Sequence, residues 1–130
     1  VGGFSRNLRK EVTKNPRYYF YDNGVRNSLI RNFNPFSLRD DAGQLWENYS
    51  TIERRKANQT AGLSVNSYFW RTYDRKEIDC VEEHGGRVYG YEFKWGERKI
   101  RSATRKEFLE TYPGSSLQVV DRENFEAFLG

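Results

Sequence analysis

One stretch limits what the chain can fold into more than any other: Glu77-Ile78-Asp79-Cys80-Val81-Glu82-Glu83, then His84-Gly85-Gly86-Arg87, then Val88-Tyr89-Gly90-Tyr91-Glu92-Phe93-Lys94-Trp95. Adjacent glycines tolerate positive φ at both centres of a tight turn, which predicts a two-residue hairpin of the primed type. With the turn centred on Gly85-Gly86, partners across the hairpin have residue numbers that sum to 171. Asp79 then stands directly opposite Glu92, and Glu77 opposite Lys94. Side chains alternate along a strand, so Asp79, Glu92 and Lys94 share one face. Ile78, Cys80, Tyr91, Phe93 and Trp95 take the other face, which is apolar enough to meet a core. Gly90 adds no side chain and leaves room beside the carboxylates.

Carboxylates placed opposite each other repel, and a sheet built only for stability avoids them. A divalent cation between them reverses that sign. Mg²⁺ takes one or two protein carboxylates and completes its shell with water and substrate phosphate. A lysine two residues along the same strand could orient a water or stabilise charge on a phosphoryl group. The arrangement Asp…Glu-x-Lys is what metal-assisted phosphodiester hydrolysis needs. The same residues also suit a solvated sheet face whose acids are offset by Lys94 and nearby arginines.

The length, 130 residues, supports one core. Aromatic residues make up 16% of the chain, which argues against intrinsic disorder despite a mean hydropathy of −0.94. No apolar run approaches the roughly 20 residues that cross a bilayer, and no signal-peptide core opens the chain. A single cysteine, Cys80, excludes an internal disulfide framework and an all-cysteine zinc site. These features read as a cytoplasmic globular domain with no membrane partner. A net charge of +4 and a pI near 9.2 permit nucleic-acid binding without diagnosing it, since basic and acidic residues are interleaved. There is no methionine, and the chain begins Val1-Gly2-Gly3, which reads as a piece of a longer protein.

Along the chain, Phe4 to Asp22 reads as a hairpin fragment whose aromatic strand is Arg17-Tyr18-Tyr19-Phe20-Tyr21, closed by Asp22-Asn23-Gly24. Val25 to Ile30 suits one or two helical turns. Asp40 and Asp41 offer an N-cap for a helix to about Asn58, with Ala42, Leu45, Trp46, Tyr49 and Ile52 on one apolar face. Strands are expected over Asn66 to Tyr73, Glu77 to Glu83 and Arg87 to Trp95. A helix over Thr104 to Tyr112, stopped by Pro113-Gly114, precedes a strand at Leu117 to Val120 and a short helix at Glu123 to Leu129.

This order, a helix carrying Glu47, a strand, a strand with Asp79, a strand with Glu92-Phe93-Lys94, a helix and a strand, resembles the PD-(D/E)XK, or restriction-endonuclease-like, nuclease superfamily. More narrowly, the text from Asn15-Pro16-Arg17-Tyr18-Tyr19-Phe20-Tyr21-Asp22-Asn23-Gly24 through Leu45-Trp46-Glu47-Asn48 resembles an uncharacterised domain. That domain follows an AAA-type ATPase module in many bacterial and archaeal proteins. The similarity spans nearly the whole chain and includes Phe69-Trp70-Arg71-Thr72 and Tyr91-Glu92-Phe93-Lys94-Trp95.

The resemblance implies an α/β (α+β) fold with a restriction-endonuclease-like αβββαβ core and a mixed central sheet flanked by helices. Residues 1–22 would be a hairpin remnant of a preceding segment, and residues 23–130 the nuclease-like domain. It implies further that Asp79 and Glu92 bind Mg²⁺, that Lys94 assists hydrolysis, and that DNA and the ATPase module of the same parent chain are partners. Glu47 carries over as a fourth catalytic residue. On a helical wheel Glu47 falls opposite the Leu45-Tyr49-Ile52 stripe, beside Ser50 and Arg54, as a solvated residue also would; Glu53, nearer the stripe, competes with it. A nuclease fold that is catalytically silent, kept for DNA or partner binding, fits the same resemblance.

Other residues invite plainer readings. His84 suits turn polarity, and Cys80 suits an inert core thiol. Tyr68, Trp70 and Tyr73 suit a core more than base stacking. Arg54-Arg55-Lys56, Arg98-Lys99, Arg101 and Arg105-Lys106 suit exposed charge, with phosphate contact as the sharper alternative.

Overall fold

The computed structural model describes residues 2–4, 17–19, 42–95 and 99–130. The helix expected at Val25 to Ile30, the Asp40-Asp41 cap and the 22/23 boundary all fall outside them. Helix α1 (Ala42–Thr60) is followed by strands β1 (Asn66–Arg71), β2 (Glu77–His84) and β3 (Arg87–Phe93), helix α2 (Ser102–Thr111), strand β4 (Ser116–Val120) and helix α3 (Phe125–Leu129). The fold is mixed α and β, as expected, with one four-stranded sheet in the order β1-β2-β3-β4. No helix among the described residues is long and apolar enough to cross a membrane.

β1 and β2 are antiparallel, as are β2 and β3. Between β3 and β4, a Cβ on Gly90 would meet the Leu117 side chain, and the Lys94 amide donates to the Val120 carbonyl at 3.0 Å. Both chain directions advance together along that edge, so β4 runs parallel to β3 and the sheet is mixed. A parallel pair requires a crossover, and α2 supplies it. The hairpin turn has Gly85 at φ 58° and Gly86 at φ 76°, the paired positive values that the Gly-Gly signal predicts. The observed partners, from Cys80 with Tyr91 to His84 with Arg87, keep the 171 register throughout.

The β1–β2 pairing contains an irregularity that sequence reading does not anticipate. Tyr68 pairs with Val81 but Trp70 pairs with Ile78, so Asp79 and Cys80 together oppose Phe69. This is a β-bulge on β2, and a bulge re-aims the side chains on either side of it. Strict alternation puts Ile78 and Val81 on opposite faces. Here both lie in one buried cluster with Phe4, Trp70, Val88, Ile100, Phe108 and Tyr112. The expected apolar face of Ile78 with Cys80 is therefore corrected: Ile78 joins Val81 instead.

Two compact units divide the described residues. The first is drawn from Val1–Tyr18, Ser64–Glu92 and Lys99–Val119 and contains that buried cluster. Phe108 of α2 meets Trp70 edge-on, with centroids 5.3 Å apart, and Tyr112 completes the contact at 5.3 Å from Phe108. Of the segment expected as an opening hairpin, residues 5–16 and 20–22 lie outside the described residues. Gly3 forms a parallel bridge to Phe69, and residues 17–19 have no regular secondary structure.

The second unit is drawn from Tyr19–Leu63, Phe93–Arg98 and Val120–Gly130. α1 buries Leu45, Trp46 and Ile52, and also Asn48, Ser50 and Asn58. Tyr49, expected in the apolar stripe, is 43% exposed, and Ser50, expected on the polar side, is buried. The buried part of this helix is thus wider than a single stripe. Trp46 lies between Trp95 at 5.6 Å and Phe125 at 5.0 Å, and its indole N–H donates to the Val120 carbonyl at 3.4 Å. α1 ends in a glycine stop: Gly62 has φ 69°, while the Leu63 and Gly62 amides donate to the Asn58 and Gln59 carbonyls.

Candidate functional site

Asp79 sits in the bulge of β2, and Glu92 sits one residue before the end of β3. The backbone N–H of Asp79 donates to Glu92 Oε1 at 3.2 Å, so the hairpin brings these two acids together within the first unit. Glu92 is buried and Asp79 has a side-chain exposure of 13%. Carboxylates this far from water need hydrogen bonds or counter-charge to remain ionised. Gly90, expected to leave space beside them, does not. A Cβ there would lie 2.8 Å from Leu117 Cδ1 and 3.0 Å from the Phe108 ring, so the glycine admits α2 and β4 to the sheet.

The counter-charge on Asp79 is Arg17. Its Nη1 donates to Asp79 Oδ1 at 3.3 Å and its Nη2 to Glu77 Oε2 at 3.2 Å. Arg71 Nε donates to the other oxygen of Glu77 at 3.0 Å. Both guanidinium groups lie over Phe69, at 5.1 Å and 4.8 Å from the ring centroid. Sequence reading missed Arg17 as a site residue, since 62 positions separate it from Asp79 and no local spacing links them.

Glu47 and Lys94 belong to the second unit. Glu47 is half-buried on α1, and its Oε2 accepts a hydrogen bond from the Tyr19 hydroxyl at 2.9 Å. Lys94 follows β3, is half-buried, and is held through its backbone amide by the Val120 carbonyl. Glu53, the competitor of Glu47, pairs with Lys56 at 3.2 Å. Among the described residues, no group of three or more His, Cys, Asp or Glu side chains is disposed to hold a metal ion.

The remaining candidates take plain roles. His84 is exposed at the end of β2, beside the turn, with Nδ1 3.2 Å from the Ser64 carbonyl oxygen. Cys80 is a buried thiol outside any disulfide. Trp70 is fully buried and Tyr73 is 61% exposed. Arg54 donates to the Phe128 carbonyl and lies 4.5 Å from that ring's centroid, whereas Lys99, Arg101, Arg105 and Lys106 are exposed.

The chain is similar to two curated relatives, an uncharacterized protein of Mycobacterium bovis and an uncharacterized protein of Mycobacterium tuberculosis. Each is 31% identical over 91 residues, a stretch covering 68% of this chain. That stretch is 20% of each relative's own length. No solved structure matches the chain significantly. Residues 42–127 match a family described as a domain of unknown function, DUF4143. That match takes in every helix and strand from α1 to β4, and the chain belongs to this family.

Proposed function

We infer that this is a nuclease-like domain of the restriction-endonuclease type that hydrolyses phosphodiester bonds in DNA, as the C-terminal part of an AAA-type ATPase. The observation that carries the reading is the junction of Asp79 and Glu92 on adjacent strands, made by the Asp79 amide at 3.2 Å from Glu92 Oε1. The order α1-β1-β2-β3-α2-β4, with β4 parallel to an antiparallel meander, supports the restriction-endonuclease-like core. The length of the mycobacterial relatives leaves room for an ATPase module.

Asp79 and Glu92 are hard oxygen donors and suit Mg²⁺, which needs only one or two protein carboxylates. They would be its protein ligands. Bound there, Mg²⁺ would polarise a phosphoryl oxygen and lower the pKa of bound water. The Lys94 ammonium, two residues beyond Glu92, would donate to the attacking water and fix its orientation. By the nuclease resemblance Glu47 would be a further catalytic acid, and its Oε2 accepts a hydrogen bond from the Tyr19 hydroxyl.

Titrating MgCl₂ should raise the melting temperature of the parent and leave that of Asp79→Ala unchanged. DNA cleavage should fall by roughly 10²-fold or more in Lys94→Ala. The catalytic reading fails if neither this chain nor the longer protein cleaves DNA or RNA. One observation favours a second reading, a silent module that binds DNA or a partner. Arg17 already neutralises Asp79, as a structural ion pair would.

A further inference from the structure

The charged side chains beside Phe69 form a continuous row, Arg71–Glu77–Arg17–Asp79, with separations of 3.0, 3.2 and 3.3 Å. Arg17 spans the two acids of that row. Charge-assisted N–H···O bonds favour about 2.7–2.9 Å, and a guanidinium prefers two parallel bonds to one carboxylate. Here the fork is split, with one nitrogen on each of two acids and both distances long. Glu77 and the Phe69 ring would keep the guanidinium in place if Asp79 were taken by another cation. Burial makes the contest sharp. Side-chain exposures of 16% for Arg17 and 13% for Asp79 leave little water to screen like charges from each other.

We propose that Arg17 is an internal competitor for a divalent cation at Asp79, holding the acid neutralised until the cation displaces it toward Glu77 and Phe69. This rests on Asp79 and Glu92 being cation ligands. Arg17 then sets the cation affinity of the site, and withdrawing it from Asp79 switches the site from an ion pair to a cation-binding pair.

Mn²⁺, which favours the same oxygen donors as Mg²⁺, is the probe. Calorimetric titration of the chain with MnCl₂ should give roughly tenfold tighter binding in Arg17→Ala than in the parent, with Arg17→Lys between them. Asp79→Asn should abolish binding in every background. A double-mutant cycle of Arg17→Ala and Asp79→Asn, followed by urea unfolding, should show coupling in EDTA that vanishes in saturating Mn²⁺. Arg17→Lys serves the same cycle if Arg17→Ala does not fold. Equal Mn²⁺ affinity in parent and Arg17 variants, with loss in Asp79→Asn, overturns the competition and leaves the cation site standing. Absence of binding in every variant overturns both. Coupling that is absent in EDTA, or unchanged by Mn²⁺, overturns the competition alone.

Discussion

Asp74, in the turn that joins β1 to β2, accepts hydrogen bonds from the Lys76 ammonium and the Thr72 hydroxyl. Lys76 above all, and Thr72 after it, hold the Asp74 carboxyl below its usual range. Asp74 in turn raises the Lys76 ammonium above its ordinary value, with Glu107 adding to the effect. A carboxyl with a lowered folded pKa stabilises the fold above its unfolded value, about 4, and loses that contribution as pH falls through the folded value. Lys76 contributes below its ordinary value and loses its share as pH rises past it. Melting temperatures measured from neutral pH downward should therefore fall less steeply below pH ~4 in Asp74→Asn than in the parent. At this scale the sequence was only partly readable. Turn symmetry carries the register from His84–Arg87 to Cys80–Tyr91, because it is a local rule, whereas alternation along β2 is interrupted by the bulge at Asp79. Arg17 follows from no local rule, since its pairing with Asp79 exists only after distant segments have folded together.

Elements were the most legible level, and the reason is periodicity. The aromatic and β-branched runs bounded by turn residues gave β1 to β3 within two residues of their ends, and the glycine pair fixed the hairpin register. The bulge was not legible. It lies on the β1 side of β2, away from the turn, between the Tyr68–Val81 and Trp70–Ile78 pairs. Nor could sequence say what Gly90 is for. Its hydrogen lies where α2 and β4 approach the sheet, with Phe108 fully buried and Leu117 half-buried. A methyl group at Gly90 would have to displace both the Leu117 side chain, its nearest neighbour, and the fully buried Phe108 ring. Gly90→Ala should cost about 1–3 kcal/mol in urea unfolding, and Leu117→Ala in the same chain should recover part of it. A neutral Gly90→Ala would mean that α2 packs less closely than the contact implies.

For the whole molecule, composition says little about function and arrangement says more. A net charge of +4 spread over 130 residues does not distinguish an active nuclease from a silent DNA-binding module. The two differ in what the acids contribute. On either proposed reading, fluorescence anisotropy with a DNA duplex should show affinity that falls as salt rises, because Lys and Arg contacts to phosphate would release counterions. In an active nuclease measured with Mg²⁺, the Asp79→Asn, Glu92→Gln pair should abolish cleavage and alter affinity. In the silent module the same pair should leave the salt slope and affinity unchanged. The mixed sheet was an expectation of the family resemblance, and α2 supplies the crossover that its parallel pair needs.

The contact made by Gly2 and Phe4 bears on how the protein behaves in solution. The Phe4 amide donates to the Phe69 carbonyl at 2.7 Å, and the Phe69 amide donates to the Gly2 carbonyl at 3.0 Å. A sheet edge with free amides and carbonyls is a template for strands of other molecules, the first step toward aggregation. Here the edge is occupied at its most apolar residue, while Phe4 is pinned into the core against Tyr68 and Tyr112. The Gly2 carbonyl and the Phe4 amide thus occupy the Phe69 backbone groups that a strand from another molecule would otherwise use.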